Sequence, residues 1–268
     1  MMAGIANFKN TFFGCSGLTA LPVDLFRYNP QVSSDAFAFT FGHCTNLAAL
    51  PVDLFRYNTA ASTNGFSYTF TSCSSLTSLP VDLFRYNTAV STSGFHQAFR
   101  DCIGLASLPA DLFKYNTLVS SSGFDSTFWS CRALASLPVD LFRYNTQVST
   151  FGFRSTFISC TGLTSLPVDL FRYNTACTSF YYVFQNCPKL QLRSDIFFPA
   201  GGESTRFLNK SVDFTSAFNI STFTGTQGTA PALWDCTYGT GTPVIADCFQ
   251  GHSAASVDNY AAIPVAGT

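Results

Sequence analysis

The sequence has 268 residues, of which 47% are hydrophobic, and its formal net charge is −1. This apolar fraction excludes a disordered chain, and the balanced charge provides no basic field for nucleic acid or an anionic membrane surface. No apolar run reaches the roughly 18 residues that a transmembrane helix needs, so no membrane insertion is expected. The first residues lack a basic n-region and a long apolar stretch, so we also expect no secretory signal.

One ten-residue phrase dominates the chain. LPVDLFRYNT occupies residues 50–59, 79–88, 137–146 and 166–175, and near-copies occupy 21–30 and 108–117. The first leucines of the six copies are always 29 residues apart. Fixed periods of about 20–50 residues mark solenoids, in which each unit packs mainly on its neighbours. We therefore predict regular repeats over residues 1–175.

Each unit is predicted to contain a short helix, a short strand and a helical turn. In residues 149–175, Phe153, Phe157 and Cys160 would share one helical face. LTSLP is predicted to be a short strand that ends at Pro167, because proline lacks a backbone donor. Pro167 also suits the first turn of a helical segment over VDLFRYN. The predicted fold class is therefore an α/β repeat solenoid.

The period weakens after residue 175 but continues. Phe180, Phe184 and Cys187 repeat the pattern of Phe153, Phe157 and Cys160 with one residue deleted. We interpret residues 176–268 as degenerate repeats that end in a C-terminal cap. Residues 198–214 interrupt the period and are predicted to form an inserted surface loop, because they are rich in glycine and carry Glu203, Arg206, Lys210 and Asp213.

The first unit begins without a polar capping segment. Phe8, Phe12 and Cys15 match the core positions of later units, so the chain enters the pattern in the middle of a repeat. An uncapped solenoid end exposes apolar core to water. We therefore expect another subunit or an upstream domain to cover this N-terminal edge.

The repeat pattern resembles that of a known family. F-x-x-T-F-x-x-C-x-x-L-x-x-L-P looks like the BspA-like leucine-rich repeats of bacterial and protist surface proteins. It is also similar to the repeats of mycoplasma-type lipoproteins and to arrays in phage tail-associated proteins. The resemblance covers residues 8–250 and implies a leucine-rich-repeat-like solenoid used for adhesion or recognition. The present unit is longer and richer in Phe and Tyr than is usual in that family.

Seven of the ten cysteines lie in register along the repeats. We interpret them as a ladder of reduced thiols that pack as small apolar groups and hydrogen-bond weakly to the backbone. Disulfides between neighbouring units are the alternative, although seven members cannot all pair. The spacing contains no Cys/His metal motif, so neither a metal nor a cofactor is expected. A pairing stays open for the off-register residues Cys177, Cys236 and Cys248.

Catalytic signatures are lacking in the sequence. The three histidines are isolated, and the nucleophile and phosphate-binding motifs are missing, so no catalytic residue is predicted. Recurring Asp–Arg pairs such as Asp53 and Arg56 are interpreted as ion pairs along one edge, with a polyvalent charged strip as the alternative. The recurring tyrosines would either stack as scaffold or present their rings to sugars. The recurring asparagines are predicted to cap turns.

The units differ most on the outer side of the predicted helix. Stacked units would merge these positions into one continuous and chemically mixed surface, which holds several large apolar residues. Such clusters are commoner at interfaces than on inert surface, whereas neutral drift at exposed positions is the alternative. The candidate ligand-binding or partner-binding residues are Phe39, Tyr68, His96, Gln97, Arg100, Asp125, Trp129, Arg154, Tyr181 and Tyr182.

These observations lead to a functional hypothesis without chemistry. The first choice is a recognition or adhesion module, a phage receptor-binding or tail-associated protein that binds a host cell-surface protein or glycan. It would act on the virion tail after assembly in the host cytoplasm. The alternatives are a bacterial surface adhesin, at the cell surface or extracellular, and a structural spacer or assembly subunit of a larger particle or filament. An enzyme is not expected.

Overall fold

The computed structural model describes residues 6–198, 205–223 and 225–264, in which each repeat forms one rung of a solenoid. Backbone hydrogen bonds join successive rungs: the N–H of Phe66 donates to the carbonyl of Gly94 at 2.9 Å, and that of Tyr68 donates to His96 at 2.8 Å. Equivalent bonds begin at Phe8 and recur in every regular rung. The solenoid predicted from the period is therefore present.

The helical half of each rung is a run of tight turns, which we name the turn ribbon: 35–44, 64–73, 93–102, 122–131 and 151–160 in the regular rungs. Within a ribbon, every second N–H donates to the carbonyl three residues earlier, as Thr69 does to Phe66. The intervening N–H groups donate to the next rung. A helix would use all its N–H groups internally, so the predicted short helix is replaced by turns that can bind a neighbouring rung.

Left-handed residues recur at every fourth position of the ribbon. Tyr68 has φ 57° and Ser72 has φ 59°, and each is the third residue of an in-rung turn, where a type II turn requires positive φ. The conformation therefore repeats every four residues, which brings Phe66 and Phe70 to the same side. This spacing also fits a helical face, which explains why the hydrophobic pattern indicated a helix.

The predicted strand and helical turn also take simpler forms. LxxLP segments run parallel in adjacent rungs, but they form isolated bridges such as Ser136 with Ser165 rather than a regular strand. Residues after the proline form turns, in which Leu83 N–H donates to Pro80 and Arg85 N–H to Asp82. The helical elements of the described residues are two 3₁₀ helices, Leu233–Asp235 and Tyr260–Ala262.

Three phenylalanines per rung fill the core. Phe55, Phe66 and Phe70 are fully buried, and each ring stacks on its equivalent in the next rung. Their centroids lie 5.5 to 6.0 Å from those of Phe84, Phe95 and Phe99, and the paired ring planes differ by 7–8°. Such aromatic pairs contribute about 0.5–1.5 kcal/mol beyond burial of their area. This arrangement gives the unusual phenylalanine content a structural role.

Buried polar side chains bind each rung to the one before it. Cys73 Sγ donates to the carbonyl of Phe41 at 3.2 Å, and Thr69 Oγ1 donates to Phe37 at 2.9 Å. All ten cysteines are free thiols, and the six ladder cysteines after Cys15 make this bond to the backbone, as predicted for reduced thiols.

The repeated asparagines do not cap turns, contrary to the sequence-based prediction. Asn87 Nδ2 donates to the carbonyls of Phe55 and Asn58 in the preceding rung, and the later copies do the same. After Asn174 this position passes to the buried Arg206, whose guanidinium donates to the carbonyls of Phe171 and Asn174. A prediction from turn propensity alone was therefore wrong for a side chain that links two rungs.

Part of the predicted inserted loop packs into the core. Phe207 and Phe214 are fully buried, and the Phe214 ring lies 5.6 Å from that of Phe180. Lys210 Nζ donates to the Thr175 carbonyl at 2.6 Å. Glu203, another residue of the predicted loop, lies outside the described residues. Rung-to-rung bonds continue through this region, since Phe180 N–H donates to the carbonyl of Asp213 at 2.8 Å.

The first rung is more exposed than those that follow. Cys15 is exposed although its equivalent Cys44 is fully buried, and Phe12 is half-buried although Phe41 is fully buried. These side chains and Phe13 form an accessible edge in the described part of the chain. The two short helices found among the described residues are far too short to cross a bilayer, and no longer helix occurs there.

Candidate functional site

The turn ribbon places the varying side chains of successive rungs in one column. Phe39, Tyr68, Gln97 and Tyr182 occupy the same ribbon position and have φ between 52° and 58°. In this left-handed region Cβ crowds the following carbonyl, which costs about 1–2 kcal/mol. Gly, Asn and Asp tolerate the region best, so bulky rings there have no backbone advantage. We name the candidate residues of the sequence analysis, which surround this column, the variable face.

Phe39 and Tyr68 stack on each other at the first half of the variable face. Their ring centroids are 4.1 Å apart and their planes differ by 9°. Tyr68 OH lies 3.0 Å from His96 Nε2 and accepts a hydrogen bond from Gln97 Nε2 at 3.0 Å. These four residues from three rungs therefore form one fixed cluster.

Arg100 extends this cluster to the next rung. Its Nη1 donates to Gln97 Oε1 at 2.8 Å, and its Nε donates to Asp101 Oδ2 at 3.2 Å. The guanidinium carbon lies 4.2 Å from the ring centroid of Trp129, within the range of a cation–π contact. The guanidinium is thus fixed in position by an amide, a carboxylate and an aromatic ring.

Asp125 is buried beneath the face rather than exposed on it. Its side chain is 1% exposed, and its Oδ2 accepts from Arg154 Nε at 3.0 Å and Nη2 at 2.6 Å. Ser126 Oγ donates to Oδ1 at 2.7 Å, and His96 Nδ1 lies 3.6 Å from Oδ2. The carboxylate is therefore an anchor for Arg154 and a neighbour of His96, and it is poorly placed to contact a ligand itself.

The last two candidates form a separate pair. Tyr181 and Tyr182 have ring centroids 3.8 Å apart, and a hydrogen bond to Tyr182 raises the pKa of Tyr181 to about 12. The Tyr181 carbonyl accepts from Ser155 N–H, so the pair follows directly on the ribbon of the preceding rung. The pair lengthens the variable face beyond the regular repeats.

An open groove lies in the middle of the variable face, with a volume of about 240 Å³. The residues that line the groove are Phe39, His43, Tyr68, Thr71, Ser72, Gln97, Arg100 and Asp101. Aromatic, amide, guanidinium and carboxylate groups therefore lie side by side in this groove.

Burial controls the ionisation of two groups at this site. It lowers the pKa of His96 below its ordinary value of 6.5, and nearby Asp125 opposes the shift only in part. Burial also raises the pKa of Tyr68 above 10.0. At neutral pH the imidazole and the phenol are both uncharged, so their contact is a hydrogen bond between neutral groups.

Sequence reasoning missed several contributors to this surface. Asp101 and His43 line the groove, and the ring of Phe13 lies 5.1 Å from that of His43. Both groove residues directly precede a ladder cysteine and are left-handed, as is Ser72. The residue before each ladder cysteine varies among the units, and this variation was the available signal.

The invariant phrase forms a different surface. Asp53 and Arg56 make the predicted ion pair at 3.5 Å, and the Arg56 guanidinium lies between the rings of Tyr57 and Tyr86, 5.9 and 5.5 Å from their centroids. The same stack of cations and tyrosines recurs in the other regular rungs. No group of three or more potential metal-binding side chains occurs within the described ranges.

Comparisons with known proteins leave the family open. No protein-family profile matches the chain, and no curated protein matches it. Among solved structures, a chain of the Drosophila Toll–Spätzle complex is similar over 78% of this chain, with 19% identity and a TM-score of 0.44. A leucine-rich repeat protein of T. pallidum is similar over 60%, with 15% identity and a TM-score of 0.24.

A third similar structure is a leucine-rich repeat protein from Bacteroides ovatus, with 16% identity, a TM-score of 0.21 and 91% coverage of this chain. The chain spans 25% of the matched chain of the Toll–Spätzle complex, 60% of the T. pallidum protein and 79% of the B. ovatus protein. Structural similarity at TM-scores of 0.21–0.44 does not establish a fold. The assignment of a solenoid rests instead on the hydrogen bonds between the rungs of this chain.

Proposed function

We propose that the protein is a non-catalytic recognition or adhesion module of the leucine-rich-repeat type, BspA-like in its repeat, which binds a cell-surface protein or glycan through its variable face. One observation carries the proposal: Phe39 and Tyr68 occupy left-handed positions and stack on the surface. The ribbon requires positive φ at this position whatever the residue, so a bulky ring there adds strain that the fold does not need, which supports a role in binding. Drift at such positions would favour Gly, Asn and Asp.

The arrangement of the face supports binding by extended contact. Aromatic and arginine side chains dominate the binding energy of many interfaces, and here Trp129 and Arg100 are already held against each other. Side chains fixed before binding lose little conformational entropy when a partner arrives. The invariant frame would thus present a preorganised surface, while the differing residues determine which partner fits.

The test compares binding with assembly. Labelled protein is titrated on panels of bacterial and animal cells by flow cytometry, and its oligomeric state is measured by light scattering. Trp129→Ala and Tyr68→Asn, in which asparagine tolerates the left-handed backbone, should each weaken binding at least tenfold without changing assembly. Tyr86→Ala, from the invariant stack, is the matched control. Loss of assembly with intact binding would instead assign the face to a structural contact, and unchanged binding in both variants would refute the proposal.

The location of the protein, on a virion tail or on a bacterial surface, is a separate part of the proposal. A protein on a virion tail folds in the host cytoplasm, whereas a bacterial surface adhesin acts outside the cell. Ten free thiols favour a chain that folds where cysteines stay reduced, which supports the virion setting. Immunogold labelling of intact particles and of bacterial cells would separate the two locations.

We also propose that another subunit or an upstream domain covers the exposed first rung. In the second rung the Thr40 carbonyl accepts from Phe12 N–H, but no described residue donates to its equivalent, Thr11. A covering partner would supply this donor and bury Phe12. Cys15 is exposed at the same edge, so protection of Cys15 from alkylation in the native assembly would support the proposal, and free labelling there would contradict it.

A further inference from the structure

The groove of the variable face has a restricted size. Its volume of about 240 Å³ lies below the roughly 300–1,000 Å³ of sites that enclose a drug-sized ligand. The space fits a single ring-sized unit of a longer ligand that continues along the face.

The charges at the groove are balanced in pairs. Arg100 Nε lies 3.2 Å from Asp101 Oδ2, and beyond the groove Arg154 is paired with Asp125. An anionic ligand would have to compete with these carboxylates for the guanidinium groups. The local electrostatics therefore favour a ligand without net charge.

The polar groups offer donors and acceptors side by side. Within the described residues, intramolecular hydrogen bonds use Nε and Nη1 of Arg100 and Oδ2 of Asp101, which leaves Nη2 and Oδ1 for a ligand. The Gln97 amide is fixed between Arg100 and Tyr68, so the set is rigid. A pair of neighbouring hydroxyl groups, each both donor and acceptor, matches this arrangement.

Apolar surface lies next to these polar groups. The half-buried rings of Phe39 and Tyr68 line the same groove. A sugar ring combines neighbouring hydroxyls with apolar C–H surface, and it carries no charge when it lacks acidic substituents. We propose that the groove binds one residue of a neutral oligosaccharide, with Arg100 and Asp101 binding its hydroxyls and Phe39 and Tyr68 contacting its C–H surface. This inference rests on the proposed function of the same face and names its ligand class.

The direct test is binding to an immobilised panel of neutral and sialylated oligosaccharides. Wild-type protein should bind one or more neutral members. Arg100→Ala should weaken that binding at least tenfold, and so should Gln97→Asn, which introduces a residue that tolerates φ 52° but shortens the side chain that carries the amide. Arg56→Ala, which removes an arginine from the invariant stack, should bind like wild type. Binding of sialylated members alone, or equal loss in all three variants, would overturn the inference.

A second measurement separates this inference from the proposed function. Cells that bind the protein are treated with periodate, which cleaves vicinal diols, or with protease. Loss of binding after periodate supports the glycan. Binding that survives periodate but not protease overturns the glycan and leaves the recognition module intact, with a protein partner. Absence of binding to any untreated cell would overturn the proposed function itself.

Discussion

The side-chain amide of Asn87 donates to two carbonyl groups of the preceding rung, that of Phe55 at 3.1 Å and that of Asn58 at 2.9 Å. Asn87 is fully buried, and both acceptors would lose a partner if the amide were removed. Both carbonyls also accept from a backbone N–H, that of Phe55 from Asn58 and that of Asn58 from Ala61, so what the amide adds is two further buried hydrogen bonds of about 0.5–1.5 kcal/mol each. The repeated asparagine is therefore a structural bond between rungs, and its removal should weaken the solenoid locally.

We expect Asn87→Ala to lower the free energy of unfolding by about 2 kcal/mol, since two buried hydrogen bonds are lost. The shift of the urea midpoint, followed by circular dichroism, measures this effect. The neighbouring exposed residue provides the control, and Thr88→Ala should change stability by less than about 0.5 kcal/mol. Equal midpoints for the two variants would show that the amide contributes nothing.

The thiols should differ sharply in reactivity. Burial raises the pKa of Cys44 to about 11 and that of Cys187 to about 12, so neither forms the reactive thiolate at neutral pH. Cys15 is exposed, and we expect it to be alkylated first in the native protein. Mass spectrometry after brief iodoacetamide treatment would identify the modified positions. Early modification of Cys44 would contradict the burial of the ladder.

Stability should fall as the pH drops below neutrality. Burial lowers the pKa of His96 and of His252 from 6.5, so the unfolded chain binds protons more tightly than the folded chain. Stability is then complete above pH 6.5 and is lost as the pH falls from that value through the folded pKa. His96 faces Tyr68, Gln97 and Asp125, with Arg154 and Arg100 as nearby charges.

Thermal melts between pH 5 and 8 would measure this dependence. The double variant with His96→Gln and His252→Gln should lose most of the slope between about pH 5 and 6.5, because acidic side chains with ordinary pKa values titrate mainly below that range. A variant with His43→Gln serves as the control, since His43 is exposed. A slope unchanged in the double variant would assign the pH dependence to other groups.

The two partners of the ion pair beneath the variable face should have unequal effects. Arg154→Ala leaves the carboxylate of Asp125 buried and without its cation, which should cost about 3 kcal/mol. Asp125→Asn leaves Arg154, whose side chain is 41% exposed and can be hydrated, and should cost about 1–2 kcal/mol. Denaturant titrations of both variants test the order. Arg56→Ala, at an exposed pair, should cost less than about 1 kcal/mol.

The sequence predicted the period and the core but not the local conformation. Three phenylalanines per rung and the ladder cysteines were identified by spacing alone, since any stacked repeat buries its invariant apolar positions. Phe66 and Phe70 lie on the same side both in a helix and in a repeat of four-residue turns, so periodicity could not distinguish these two conformations. Left-handed φ at Tyr68 and Gln97 has no signature in residue type, because both are unfavoured there.

The candidate site was predicted in part for a related reason. Residues that vary against an invariant frame pointed to Phe39, Arg100 and Trp129, which are connected in the structure through Tyr68 and Gln97. Whether each side chain points inward or outward was inferred from a predicted helix, which the turn ribbon replaces. The burial of Asp125 and the position of Asp101 in the groove were therefore not predicted. Variation identified the face, whereas only the three-dimensional structure could divide it into anchors and exposed groups.

A left-handed serine offers a test of the turn ribbon itself. Ser159 has φ 57°, so Ser159→Gly removes the crowding of Cβ, a relief of about 1–2 kcal/mol that exceeds the roughly 0.4–1 kcal/mol lost to greater freedom of the unfolded chain. We expect the melting temperature to stay level or rise by a few degrees. Ser107→Gly, at an exposed position of an extended segment, should instead destabilise by about 0.5–1 kcal/mol. Scanning calorimetry of both variants tests whether the ribbon consists of left-handed turns, because a helical ribbon would make glycine destabilising at both positions.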